Sequence, residues 1–258
     1  MPIITLTSDL GLKDHYVAAL KGSILSEDQS SVIVDISHLI QPYNILEASY
    51  IVKNTYPTFP EGTLHVLFIN IGDNDKNRFI IAEHKKQFFV GSDNGIFSLL
   101  FSEENEVKYY EIEHTSSSTA VSEIFLDVLI RVIKVVSSGS ELSGLGRRVH
   151  ELSQKSVIQP VIYSDVIRGT VFYIDRFHNA ITNITRKIFN GNIKDRKYSV
   201  IFNRNILVKL SEDYADVPEG EMLCMFNSAG YLEIAINKGK ASSLLGLELG
   251  SNVLIEFE

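Results

Sequence analysis

The sequence predicts an α/β N-terminal domain built on a mainly parallel sheet, residues 1–155, followed by an all-β C-terminal barrel domain, residues 156–258. Three observations predict it. The chain has 258 residues, more than one typical domain needs. As far as residue 136, apolar strands alternate with helical patterns at the spacing of βαβ units. Beyond the loop SSGSELSGLG, short strands and turn signals follow one another with no long helical pattern.

Ile3 to Thr7 reads as a buried first strand opening into Ser8-Asp9-Leu10-Gly11. His15 to Leu25 carries Val17, Leu20 and Ile24 on one helical face. SVIVDI, ending at Ile36, reads as a second buried strand, and Asn44 to Asn54 as a second helix. Thr63 to Ile69 is a third strand. Arg78 to His84 and Gln87 to Val90 form a strand pair ending in the turn Ser92-Asp93-Asn94-Gly95. Glu123 to Val136 is an apolar-periodic helix. In the second domain, strands are expected at 161–162, 169–174, 197–202, 206–210, 222–226, 231–236 and 253–257.

Lys plus Arg number 24 and Asp plus Glu 32, a net charge of −8, which argues against a nucleic-acid or membrane-surface binder. The single cysteine, Cys224, excludes an intrachain disulfide and a cysteine-based zinc site; its apolar neighbours mark a buried, inert thiol. The N-terminus lacks the charged and apolar regions of a signal peptide. No apolar run approaches the ~18 residues of a membrane span, so a cytoplasmic protein is expected.

Ligands of open α/β sheets gather at the carboxyl ends of strands. Ser8-Asp9, His38 and the segment 70–78 fall there. Asp9 and Asp14 read either as helix-capping carboxylates or as ligand-binding groups. His38 and His65 read as structural. Asp73, Asp75 and Asn77 mimic the start of a calcium loop, but His84 stands at its twelfth position and no glycine at its sixth, so a solvated turn is expected and no metal. Dinucleotide and P-loop glycine motifs are absent. The richest stretch is RGTVFYIDRFHNAITNI, 168–184, which sets Asp175, Asn179 and Asn183 at four-residue spacing around Phe177. It reads either as a polar ligand cluster or as a strand-turn-strand with Asx turns.

Six stretches, in order, carry a family resemblance: TSDLGLKDHYV, VDISHLIQPYNILEASYIV, FPEGTLHVLFINIG, VGSDNGIFSLL, YIDRFHNAITNI and NSAGYLEIAINKGKASSLLGL. Together they resemble the S-adenosyl-L-methionine (SAM) hydrolases, or SAM hydroxide adenosyltransferases, relatives of the fluorinase and chlorinase enzymes. The resemblance implies cleavage of SAM by water to adenosine and methionine, with no added cofactor. It also implies a homotrimer binding its nucleoside ligand between the N-terminal domain of one subunit and the C-terminal domain of a neighbour.

Carried over by position, Asp9 matches the acid that holds the ribose hydroxyls. Asp175 and Asn179, flanking Phe177, match residues that grip the methionine end. Ser228 matches a hydroxyl in that region, with Asn227 and Tyr231 in the binding loop, and Asp14 is a further candidate. The water-activating set departs from the pattern. Its Asp, Arg and His positions hold Asn70, Asn77 and Ala120, and His178 replaces a usual glycine. Arg78, His114 and His178 are the candidate compensators. Val121 stands at the halide-site serine position of the halogenases, which argues against halide chemistry. Two functions follow: a SAM-cleaving enzyme with a weakened site, or a catalytically silent SAM or adenosine binder.

Overall fold

Ile4 to Ser8 are buried without a break, as a strand between two covered layers requires. They belong to β1 (Ile3–Ser8), near one end of a seven-stranded sheet. The computed structural model describes residues 2–72, 78–114, 118, 120–156 and 158–258. The chain divides into two compact units, Met1–Val157 and Ile158–Glu258.

In the first unit β1 is followed by α1 (Tyr16–Glu27), β2 (Val32–Ser37), α2 (Ile45–Thr55) and β3 (Leu64–Phe68). Then come β4 (Phe79–His84), β5 (Gln87–Ser92), α3 (Ile96–Leu100), β6 (Lys108–Ile112), α4 (Val121–Ser138) and β7 (Gly146–Val149). The strand order is β2-β1-β3-β5-β4-β6-β7. The period-two alternation of β3 splits its side chains between two cores. Leu64, Val66 and Phe68 pack with residues of α1 and α4, while Leu67 joins residues of α2 and α3.

The sheet is mixed, which corrects the expectation of a mainly parallel one. β2, β1, β3 and β5 run parallel, whereas β5, β4, β6 and β7 pair antiparallel. The cause is local. Lys85 and Lys86, with φ of 48° and 58°, make the two-residue turn joining β4 to β5, and so short a link can only return the chain antiparallel. β2 is likewise an edge strand with part-exposed side chains rather than a buried one.

The second unit contains β8 (Val161–Ile162), β9 (Val166–Ile174), β10 (Ala180–Thr185), α5 (Arg186–Ile193), β11 (Tyr198–Phe202) and β12 (Asn205–Leu207). β13 (Met222–Phe226), β14 (Tyr231–Ile236), α6 (Ala241–Leu244) and β15 (Asn252–Phe257) complete it. Its antiparallel strands follow the order β12-β11-β15-β9-β10-β14-β13, with β8 on β9, and wrap into a nearly closed barrel. The expected all-β unit therefore also carries helix. α5 starts because Thr185 Oγ1 accepts the Ile188 amide at 3.2 Å, and Phe189 anchors it in the barrel core. Gly169 is required by close approach, since a Cβ there would lie 2.4 Å from Ile184 Cγ1. Cys224 is fully buried, and burial pushes its thiol pKa up, away from reactivity. Among the described residues no helix is long and apolar enough to cross a membrane.

Candidate functional site

In the first unit the carboxyl ends of β1 and β3 meet at Asp9. Its Oδ2 accepts the backbone amides of Tyr43, at 2.9 Å, and Asn70, at 3.2 Å. Its Oδ1 has no partner among the described residues. Both donors sit at left-handed backbone positions, φ 69° for Tyr43 and 47° for Asn70, so the carboxylate fixes two turns that the chain does not adopt freely. From the other side, Asn94 Nδ2 donates to the carbonyls of Ile69, at 2.9 Å, and Asn70, at 3.3 Å. Asn94 belongs to the SDNG stretch, which thus serves as a buried clamp on the loop after β3.

Ala120 caps α4 through its backbone and has no side-chain acceptor to offer. It lies next to Val121, and a Cβ built on Gly72 would sit 3.6 Å from Val121 Cβ. The fold therefore brings 9 and 70 into contact and the 70–72 turn against the start of α4. Asn77 and the calcium-like run Asp73, Asp75, Asn77 lie outside the described residues. Among the described residues no cluster of three His, Cys, Asp or Glu side chains is arranged for a metal.

Arg78 is committed elsewhere. Its guanidinium holds Asp93 Oδ2 at 2.7 Å, Glu111 Oε2 at 3.1 Å and the Glu151 carbonyl at 2.9 Å. His114 packs its ring on Phe79, centroids 5.6 Å apart. Asp14 is exposed in the loop before α1, whose N-cap residue is His15, and it makes no hydrogen bond among the described residues.

A polar chain that sequence reasoning missed stands behind Asp9. Ser8 Oγ is 2.6 Å from His38 Nδ1, and both residues are buried. His38 Nε2 lies 3.1 Å from Asp35 Oδ1, an ion-pair distance but off the direct hydrogen-bond line. Asp35 Oδ2 takes Lys21 Nζ at 2.6 Å. Burial tends to raise the Asp35 pKa, but the Lys21 hydrogen bond and the neighbouring His38 outweigh it and the pKa is lowered. The available signal was Asp35 and His38 three residues apart at a strand's carboxyl end.

In the second unit Asp175, Phe177, His178 and Asn179 form the β9–β10 turn. Asp175 Oδ1 accepts the Phe177 and Asn179 amides at 2.9 and 2.8 Å, and its Oδ2 accepts Asn179 Nδ2 at 3.1 Å. This is the Asx-turn geometry of the alternative reading. His178 sits at φ 67°; its carbonyl accepts the Ser242 amide at 2.8 Å and its Nδ1 lies 3.2 Å from Ser242 Oγ. Phe177 is 75% exposed. Phe177, His178, Asn179, Tyr214 and Asn237 line a cavity of about 540 Å³, within the size range of small-molecule sites.

Asn227 shapes the β13–β14 turn, its Oδ1 accepting the Ala229 and Tyr231 amides, each at 3.1 Å. Ser228 is exposed, and the Tyr231 ring packs on Phe172 with centroids 5.4 Å apart. Glu233 ties this turn to the cavity wall. It accepts the Tyr214 hydroxyl at 2.6 Å and Asn227 Nδ2 at 3.2 Å. Burial raises its pKa, the two donors partly offset that, and the Asp175 charge adds to the rise. A lone carboxylate in the apolar strand YLEIAI was the overlooked signal.

The first unit thus offers an acidic turn at the carboxyl ends of parallel strands, and the barrel unit a cavity of small-molecule size. The chain belongs to the SAM hydroxide adenosyltransferase family: residues 4–146 match its N-terminal domain and 169–254 its C-terminal domain. It is 30% identical to an (R)-S-adenosyl-L-methionine hydrolase of Methanocaldococcus jannaschii, over 96% of this chain and 93% of the relative. A Thermus thermophilus protein of that name is 28% identical over 95% and 96%. A fluorinase of Actinopolyspora mzabensis is 23% identical over 98% and 97%. An uncharacterized conserved protein from Thermotoga maritima superposes with a TM-score of 0.85 at 29% identity, covering 99% of each chain.

Proposed function

We propose that this chain binds SAM, with Asp9 receiving the ribose hydroxyls, and hydrolyses it slowly to adenosine and methionine. The observation that carries the reading is the Asp9 carboxylate: one oxygen is held by two backbone amides, and the other makes no hydrogen bond among the described residues. A carboxylate so fixed is preorganised for hydroxyl donors.

The chemistry explains the expected slowness. Water attacks C5′ of the ribose as the C5′–sulfur bond breaks, and the electron pair neutralises the sulfonium, so methionine leaves without an acid. The attacking water must lose a proton. Asn70, Asn77 and Ala120 offer no base at the family's water-activating positions, and general-base catalysis is worth roughly 10²–10⁴-fold. What remains is orientation and desolvation. To compensate, Arg78 would have to leave Asp93, Glu111 and the Glu151 carbonyl. His178, the one titratable newcomer in the 175–179 turn, is the first residue to test as a substitute base.

The same three substitutions favour a second reading, a SAM or adenosine binder that does not turn over. Incubation with SAM, followed by separation of intact SAM, adenosine and methionine, decides between them. Adenosine and methionine formed in equal amounts, slowly but above the spontaneous rate, support the hydrolase. Intact SAM that co-purifies with the protein supports the silent binder. No retention of SAM or adenosine overturns both.

A further inference from the structure

We infer that His38 is a positioning residue for the Asp9 carboxylate, acting through Ser8. The inference rests on the reading of Asp9 as the diol-binding acid.

The turn that carries Asp9 is clasped to the end of β2 twice. The His38 carbonyl accepts the Gly11 amide at 2.8 Å, and the His38 ring meets Ser8 Oγ at 2.6 Å. Ser8 Oγ also receives the Leu10 amide at 3.4 Å. Ser8 is 0% and His38 3% exposed, so neither group exchanges a lost partner for water. Asp9 follows Ser8 directly, and its own Oδ2 is engaged by Tyr43 and Asn70. Rotation at Ser8 therefore moves the oxygen offered to a ligand.

A hydroxyl has one hydrogen to give and two lone pairs. Ser8 Oγ is held on one side by the His38 ring and on the other by the Leu10 amide, so loss of the ring leaves it, among the described residues, with the Leu10 amide alone.

The charged and titratable groups on the surrounding elements are few. Asp35 on β2 faces Nε2, and Lys21 on α1 reaches it only through Asp35. Asp9 lies beyond Ser8. Glu47 on α2 is engaged by the Gln41 amide and Asn44 Nδ2.

The experiment measures adenosine affinity by calorimetry for the unmodified protein and the variants His38→Leu, His38→Asn and Ser8→Ala, each checked for native circular dichroism. His38→Leu should lose about tenfold in affinity, the scale of one buried hydroxyl left unpaired. Ser8→Ala should lose a similar amount, and adding His38→Leu to it should cost no more. His38→Asn, whose amide restores a bond to Ser8, should recover most of the loss. Affinity unchanged in His38→Leu, or lost equally in His38→Asn, overturns the role of His38 and leaves the reading of Asp9 standing. Absence of adenosine binding by the unmodified protein overturns the reading of Asp9, and this inference with it.

Discussion

At the scale of single residues, Asp9 carries two duties, bracing the Tyr43 and Asn70 turns and, as proposed, meeting the ribose. Truncation to alanine would mix the two. Asp9→Asn keeps the shape and one acceptor but removes the charge. It should weaken adenosine binding by about 1.5–3 kcal/mol, the range for hydrogen bonds to a charged group. Affinity unchanged in calorimetry removes Asp9 from the site. A second residue-scale expectation concerns water activation. Restoring Asn70→Asp alone should help little, because such a set acts as a unit. The triple change Asn70→Asp, Asn77→Arg, Ala120→His should raise single-turnover cleavage of SAM by roughly two orders of magnitude or more. If the unmodified protein already cleaves at the faster rate, another residue is the base. The motifs named the candidate residues of this site, but they could not show which atoms were already spent. Arg78 offers a guanidinium in sequence, and in the fold it is committed to Asp93, Glu111 and the Glu151 carbonyl.

At the scale of elements, the strongly periodic segments read correctly, and the weakly marked ones did not. α2 and α4 fall within a few residues of their predicted spans, because each presents a continuous apolar face to a core. β6 carries half-buried side chains and β7 is four residues long, so neither gave a clear alternation. α3, five residues long, shows too little of a helical period to be read. His65 did read as structural, and β1, β3 and β5 explain why. It lies 2.7 Å from Thr5 Oγ1 and 3.0 Å from Gln87 Oε1, and stacks on Phe89. Burial pushes its pKa down to about 4, partly offset by the Gln87 bond. The unfolded chain takes up this proton below about pH 6.5 and the native state only below about 4. Stability should therefore fall as pH drops through that window, by up to about 3 kcal/mol from this group. Urea midpoints followed against pH should show His65→Gln losing that part of the acid slope. Glu233, whose raised pKa works in the opposite sense, is common to both proteins and cancels in the difference. An identical slope in the variant would assign the acid sensitivity elsewhere.

At the scale of the whole molecule, the family resemblance leads us to propose a homotrimer. Light scattering at micromolar concentration should give about three times the chain mass of 28.9 kDa. A monomer under those conditions counts against a ligand shared between subunits. The sequence by itself determined the family, the two-domain plan and most strands and helices. These depend on local periodicity, turn chemistry and motif order, which neighbouring residues specify. Only the tertiary structure decided that one Asp9 oxygen is spent on backbone amides, that Ser8, His38 and Asp35 form a chain, and that Glu233 meets Tyr214. Each of those depends on pairings between residues distant along the chain: Asp9 with Tyr43 and Asn70, Ser8 with His38, and Glu233 with Tyr214. Such pairings are set by how the strands are ordered in the sheet, and no local pattern of residue types encodes that order.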